Sequence, residues 1–239
     1  MTVLGSLVYI VYKALFITGD HGYRTSHSLS KLLFTLSIIL YVVRLPHSTH
    51  LVALIVVVLG LIHPGLEWLL ATSLLAGLVG FYMGISAYLL SMLGLYQMHL
   101  HDVLVIALRT YSISLTGVFV FTTITPIELY NLLLILGLSR ASNYPLLVWR
   151  LMPQSLRNFL DSISVGVLKK EPATSRVPAA VASVIEMGWF VEEYSYWRLR
   201  AKPKTLIHID RSTKYTVILL ASSLLISLLF YVQSIQGPT

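Results

Sequence analysis

Residues 144–204 read YPLLVWRLMPQSLRNFLDSISVGVLKKEPATSRVPAAVASVIEMGWFVEEYSYWRLRAKPK. Helical apolar spacing on both sides of the break EPATS, at residues 171–175, predicts two long helices that each end in positive charge. Most of the remaining sequence is apolar enough to lie in lipid. A basic helical segment of this length therefore predicts a surface that a membrane protein offers to a soluble partner.

The composition places the chain in the membrane class. Of its 239 residues, 56% are hydrophobic and only 11% are charged, and the mean hydropathy is +0.79. Soluble domains carry about 25% charged residues. The chain has no cysteine, which excludes disulfides, thiolate metal sites and cysteine nucleophiles. We therefore expect an all-α integral membrane protein.

The positive charge is concentrated in one segment. Residues 140–214 supply +6 of the formal net charge of +7. In membrane proteins Lys and Arg mark cytoplasmic loops, because they resist translocation. We therefore interpret this segment as cytoplasmic, and we expect the chain to contact lipid and no nucleic acid.

Hydropathy predicts about five transmembrane helices, with the N-terminus inside and the C-terminus outside. The predicted spans are residues 32–45, 51–63, 68–95, 103–122 and 214–233. The corresponding regions are an N-terminal helix and polar segment (1–30), the first four spans (31–125), the cytoplasmic helices (126–213), and the last span with a tail (214–239).

Residues 3–17 form an apolar stretch that is short for a span and contains Lys13. We expect a helix at the membrane interface, with Lys13 reaching the headgroups. A tilted sixth span is the alternative. Gly80 and Gly84 have the small-xxx-small spacing of closely packed membrane helices. They pack within the chain or against another membrane protein.

The first cytoplasmic helix carries an apolar stripe, and Pro153 should bend it or start it afresh. The stripe comprises Trp149, Met152, Leu156, Phe159, Ile163 and Val167. Arg157 and Asp161, one turn apart on another face, are spaced to pair.

The second cytoplasmic helix carries small side chains along one line, at Ala180, Val184 and Gly188. We expect the two helices to cross there. Lys169 and Lys170 close the first helix, and Arg198 and Arg200 close the second. A cation at such a position also complements the helix dipole or binds anionic lipid, so the charges alone leave these roles open.

The order of these features resembles the transmembrane T component of energy-coupling factor transporters, the CbiQ/EcfT family. The similarity covers residues 19–227. It rests on Gly19-Asp20-His21, Lys31, Arg109, the segment Thr122-Thr123-Ile124-Thr125-Pro126 with Glu128, and a first coupling helix with an internal Met152-Pro153.

The resemblance implies a scaffold between two cytosolic ATPases and a membrane-embedded substrate-binding S component, for uptake of a vitamin or a transition-metal ion. It implies ATPase docking by Lys169, Lys170, Arg198 and Arg200. Trp149, Met152, Leu156, Phe159, Ala180, Val184 and Gly188 would contact the S component or form the helix crossing. Family members end each coupling helix in an Ala-Arg-Gly-like motif, whereas this chain has Leu168-Lys169-Lys170 and Leu199-Arg200-Ala201.

Three other functions compete with the scaffold. A conventional ABC permease normally presents one short coupling loop, and a self-contained carrier shows internal repeats or broken polar spans. A metal-dependent membrane enzyme would use His99, His101 and Asp102 with His47 and His50. Because the sequence has no Gly-rich phosphate loop, we expect a non-catalytic subunit without a cofactor or metal of its own.

Overall fold

The computed structural model describes residues 3–16, 21–45, 48–94, 96, 98–139, 141–172, 175, 177–186, 188 and 212–236. The regular elements in these ranges are helices, with no strand among them, as predicted. The α-helices are α1 Val3–Phe16, α2 Ser28–Arg44, α3 Thr49–Ile62, α4 Leu66–Met92, α5 Leu100–Thr123, α6 Pro126–Ile135, α7 Asn143–Leu168, α8 Val177–Glu186 and α9 Thr213–Gln236.

Three helices are long and apolar enough to cross a membrane. They are α4, α5 and α9, with mean hydropathies of 1.7, 1.8 and 2.2 over their most apolar windows. Helices α2 and α3, which were predicted as spans, have 17 and 14 residues. About 20 helical residues cross an average hydrocarbon core.

The chain divides into two compact units. One comprises residues 1–12 and 125–208 and contains α6, α7 and α8. The other comprises residues 13–124 and 209–239 and contains α2 to α5 with α9. We call the first the α7 unit and the second the membrane unit. Helix α1 contributes residues to both.

Close packing of α4 against α5 depends on two glycines. A Cβ atom added to Gly80 would lie 2.8 Å from the carbonyl oxygen of Ala107, and one added to Gly84 would lie 3.1 Å from Ala107 Cβ. The absence of side chains lets the two backbones approach. Of the two alternatives for this glycine pair, the structure therefore has packing within the chain.

An aromatic cluster fills the core of the membrane unit. The Phe119 ring on α5 makes edge contacts with Tyr23, Phe34 and Trp68 at centroid distances of 5.4, 5.8 and 5.7 Å. All four side chains are buried. Edge-to-face aromatic pairs are each worth about 0.5–1.5 kcal/mol beyond the apolar area that they bury. This cluster joins α2, α4 and α5 to the turn that precedes α2.

The end of α1 is fixed to the start of α4. Trp68 Nε1 donates a hydrogen bond to the Ala14 carbonyl oxygen at 2.8 Å, and Lys13 Nζ lies 3.0 Å from Glu67 Oε2. Both Trp68 and Ala14 are buried. The Lys13 ammonium group pairs with the exposed carboxylate of Glu67, and its expected contact with lipid headgroups stays a prediction.

A short 3-10 turn, Gly22–Thr25, packs against one end of the membrane unit and is hydrogen-bonded to it. Tyr23 Oη donates to the Leu59 carbonyl oxygen at 3.0 Å, and Arg24 Nε donates to that of Thr122 at 2.9 Å. Lys31 Nζ donates to the Arg24 carbonyl oxygen at 2.6 Å. Arg24 and Lys31 are 3% and 2% exposed. Lys31 is therefore a buried structural group.

His63 packs under this turn. Its ring lies 6.1 Å from Tyr23 and 5.4 Å from Tyr215, measured between centroids, and only a glycine fits at position 22 beside it. A cavity of about 10 Å³, room for roughly one water molecule, lies between His63 and its neighbours, which include Arg24 and Thr122. Burial, and to a lesser degree the charge of His21, lowers the pKa of His63. The neutral imidazole is therefore favoured here.

Candidate docking surface

Helix α7 is amphipathic and has 26 residues. Of its predicted apolar stripe, Trp149, Met152, Leu156 and Phe159 are half-buried, Ile163 is 4% exposed and Val167 is 42% exposed. The stripe thus packs most closely at Ile163 and becomes exposed toward the helix end. The helix continues through Pro153 without the fresh start that we had considered.

Within the α7 unit, Arg157 on α7 binds Tyr12 on α1. Its Nη2 atom donates to Tyr12 Oη at 2.9 Å, and the guanidinium carbon lies 5.6 Å from the centre of the Tyr12 ring. The predicted pair with Asp161 is not formed. Tyr12 is 145 residues away in sequence, so no local spacing rule identifies it.

Helices α7 and α8 meet through small residues. Ser162 Oγ donates to Ser183 Oγ at 3.0 Å, and Ser183 Oγ donates to the Ala180 carbonyl oxygen at 2.8 Å. Ala180 is fully buried, and Ile163, next to Ser162, is almost so. Ala180 therefore lies at the contact between the helices.

The other residues predicted for the crossing lie differently. Val184 is half-buried, whereas Gly188 is exposed and a Cβ atom there would meet nothing within 4 Å. The face of α8 beside this contact carries three exposed apolar residues one turn apart, which are Val177, Val181 and Ile185.

The C-terminus of α7 closes in a two-bond motif. The Glu171 amide donates to the Gly166 carbonyl oxygen at 3.0 Å, and the Lys170 amide donates to that of Val167 at 3.1 Å. This is the Schellman arrangement, in which the residue after the C-cap adopts the left-handed conformation and is usually glycine. Here that residue is Lys170, with φ of +55°.

The side chains at this end project into solvent. Leu168 is 82% exposed, and Lys169 and Lys170 are also exposed. Two ammonium groups beside an exposed leucine can bind a carboxylate-bearing surface that also offers an apolar contact. The sequence locates the two lysines, but the conformation of Lys170 depends on where the helix ends. The equivalent residues predicted for the second helix, Arg198 and Arg200, lie outside the described residues.

The Thr-Pro-Ile-Glu segment that contributes to the family resemblance caps α6. The Thr125 amide donates to Glu128 Oε2 at 2.8 Å, and the Glu128 amide donates to Thr125 Oγ1 at 3.3 Å. Pro126 occupies the first helical position. These residue types are those of a helix capping box, so stability alone accounts for this segment.

The histidines considered above as metal ligands also have a purely structural explanation. The His99 amide donates to Asp102 Oδ2 at 3.0 Å, so Asp102 caps α5. His101 Nδ1 lies 3.7 Å from Asp102 Oδ1, and both side chains are exposed. Among the residues that the structure describes, no group of three His, Asp or Glu side chains is arranged to hold a metal ion. His47 lies outside the described residues.

Comparison with protein-family models, with curated proteins and with solved structures gives no match for this chain.

Proposed function

We propose that this protein is the transmembrane energy-coupling subunit of an importer driven by two cytosolic ATPases, of the energy-coupling factor type. In this proposal α2, α3, α4, α5 and α9 all cross the plasma membrane, and the α7 unit lies on the cytoplasmic side. The subunit hydrolyses no ATP. It transmits the movement of the ATPases to a membrane-embedded S component that binds the substrate.

The geometry of the end of α7 supports the proposal most directly. The helix is long, it is anchored along its length by Arg157 and Ser162, and it ends in two exposed lysines. A stiff helix with a charged tip can transmit a displacement from the tip to its anchored part. Lysines are suited to bind acidic surfaces of a soluble subunit.

The conformation of Lys170 adds to this support. A non-glycine residue in the left-handed region costs about 1–2 kcal/mol. Glycine would remove that cost but would also remove the charge. Residues that occupy strained conformations cluster at functional sites, so a lysine at this position agrees with a binding role.

The test is a pull-down of the affinity-tagged protein from its native membrane, with the recovered proteins identified by mass spectrometry. We expect two copies of an ATPase with a Gly-x-x-x-x-Gly-Lys-Ser/Thr motif, or two different ones, together with a small integral membrane protein. Lys169→Glu combined with Lys170→Glu, and separately Arg200→Glu, should reduce ATPase recovery and leave membrane insertion intact.

Lys214→Glu provides the matched control. Lys214 is also exposed and lies in the first turn of α9, where a negative charge suits the helix dipole. It should leave ATPase recovery unchanged. Full recovery in both coupling-helix variants would contradict the proposal, as would uptake of a solute by the purified protein alone.

A further inference from the structure

Arg109 is the only charged side chain beyond the first turn of the three candidate spans, all of whose residues the structure describes. It lies nine residues after Leu100 and fourteen before Thr123, the two ends of α5. At about 1.5 Å per residue, these separations are roughly 14 and 21 Å. In a hydrocarbon core of about 30 Å, a centred α5 places the Arg109 backbone about 10 Å inside the nearer boundary.

The side chain faces outward rather than into the protein. Arg109 is exposed, while the buried face of α5 carries Ser112, Leu115, Thr116 and Phe119. A guanidinium group cannot lose its charge in a protein. Charged residues within membrane spans almost always face a protein interior or an aqueous cavity, because hydrocarbon solvates them poorly. An outward-facing arginine at this depth therefore needs something other than lipid tails around it.

The residues around Arg109 form a surface suited to another helix. We call Val105, Arg109, Ile113 and Gly117 the Arg109 stripe. They follow one another at four-residue intervals and are all exposed. A Cβ atom at Gly117 would meet nothing within 4 Å, so the stripe has a notch there. Such a notch lets a second helix approach closely.

We propose that the Arg109 stripe binds a transmembrane helix of another integral membrane protein, and that this helix carries an Asp or Glu within its span. The carboxylate would form a bidentate ion pair with the Arg109 guanidinium, the geometry in which arginine binds carboxylates most strongly. The apolar residues of the stripe would pack against the same helix on either side of the pair.

Charge excludes a second copy of this chain as the partner. The carboxylates within α2, α3, α4, α5 and α9 are Glu67 and Asp102, each in the first turn of its helix. Two copies that met through this surface would bring two arginines together in a medium of low dielectric constant. The partner is therefore a different protein, whether or not ATPases dock at α7.

The test uses photo-crosslinking in the native membrane. A photoreactive amino acid replaces Val105 or Ile113 in the stripe, and in control proteins it replaces Leu74 on α4 or Leu225 on α9, which are also exposed. We expect the stripe positions to give one discrete protein adduct, and the control positions to give lipid adducts. Mass spectrometry of the adduct then identifies the partner and shows whether its span contains Asp or Glu.

Charge variants decide whether the contact depends on Arg109. Arg109→Glu should lower the adduct yield at least about tenfold. Bringing two like charges together costs more free energy than the roughly 1.4 kcal/mol that corresponds to a tenfold change in affinity. Arg109→Gln should lower the yield less, and Arg109→Lys should lower it least, because lysine keeps the charge but not the bidentate geometry. Arg109→Glu combined with replacement of the partner carboxylate by Arg should restore it. Restoration also shows that the variant chain is folded.

Four results would overturn the proposal. Two concern the adduct itself: lipid adducts alone at the stripe positions, or an adduct whose yield is the same in Arg109→Glu and Arg109→Gln as in the unchanged protein. The other two concern its identity: a partner without an acidic residue in a span, or a second copy of this chain. ATPase recovery through α7 is measured separately, so failure of that experiment leaves this one interpretable.

Discussion

Gly80 on α4 faces the Ala107 carbonyl oxygen on α5 at a distance that no side chain can enter. A Cβ atom at Gly80 would come within 2.8 Å of that oxygen and within 3.2 Å of Tyr111 Cβ. The obstructing atom belongs to the backbone, so relief requires α4 and α5 to separate. The close packing of α4 against α5 therefore requires glycine at position 80 as well as at position 84.

Gly80→Ala should destabilise the membrane unit by about 1–3 kcal/mol, the usual cost of overpacking. Gly77→Ala is the matched control, because a Cβ atom there meets nothing within 4 Å and alanine is the better helix former. The midpoint of thermal unfolding in detergent measures both variants. Equal midpoints for the two alanine variants would show that the close approach of α4 and α5 is not limiting.

Trp68→Phe should loosen the end of α1. The change removes the hydrogen bond to the Ala14 carbonyl oxygen and leaves that buried acceptor unpaired, at a cost of about 1–3 kcal/mol. Hydrogen exchange of the α1 amides should then be faster. Glu67→Gln should have little effect, since its ion pair with Lys13 is exposed at the Glu67 side and such pairs contribute about 0–1 kcal/mol. If Glu67→Gln had the larger effect, the ion pair rather than the indole would fix this helix.

Lys170→Gly should protect the last turn of α7 from hydrogen exchange. The left-handed conformation costs a lysine about 1 kcal/mol or more, and glycine adopts it without that cost. Lys169→Gly should have the opposite effect. Lys169 has φ of −75°, so glycine there gains nothing and adds up to about 1 kcal/mol of backbone entropy cost. The two variants remove the same charge, and equal exchange rates in them would contradict the assigned geometry.

His63 should make the stability of the membrane unit depend on pH. Its folded-state pKa is lowered by burial, so the unfolded chain binds a proton more readily than the folded one. Stability is therefore fully present above the unfolded value of about 6.5 and falls as the pH drops below it, until the folded pKa is passed.

His63→Phe should reduce the difference between the unfolding midpoints at pH 8 and pH 5, whatever it does to stability at pH 8. His101→Phe, which replaces a histidine whose side chain is 84% exposed, is the control for the loss of an imidazole outside the core. A pH dependence that persists unchanged in His63→Phe would assign it to other groups.

The sequence predicts the long helices well, because apolar runs and capping residues are local signals. The ends of α4, α5 and α9 lie close to the predicted spans, and the Gly80 and Gly84 pair identifies a helix contact. The partners of polar side chains could not be predicted in the same way. Arg157 binds Tyr12, and Arg24 binds the Thr122 backbone 98 residues away. Tertiary packing determines such pairs, and no residue spacing in a single sequence predicts them.

The candidate docking site was partly predictable for the same reason. Lys169, Lys170 and Ala180 could be selected from helix periodicity and position. The left-handed backbone of Lys170 could not, since lysine is an unusual residue there and only the hydrogen bonds of Glu171 and Lys170 define it. The exposure of Arg109 likewise required knowledge of which face of α5 packs inward.

The joining of α2 to α9 has a consequence for how the protein is made. The Tyr41 hydroxyl donates to Gln233 Oε1 at 2.8 Å, and the His27 amide donates to Thr216 Oγ1 at 2.9 Å. Tyr41 and Gln233 are 192 residues apart. At about 5–20 residues per second, a ribosome needs roughly 10–40 s to deliver the second partner after the first. The earlier helices are therefore complete well before α9 is made, and a chain released before residue 213 lacks the helix that α2 packs against.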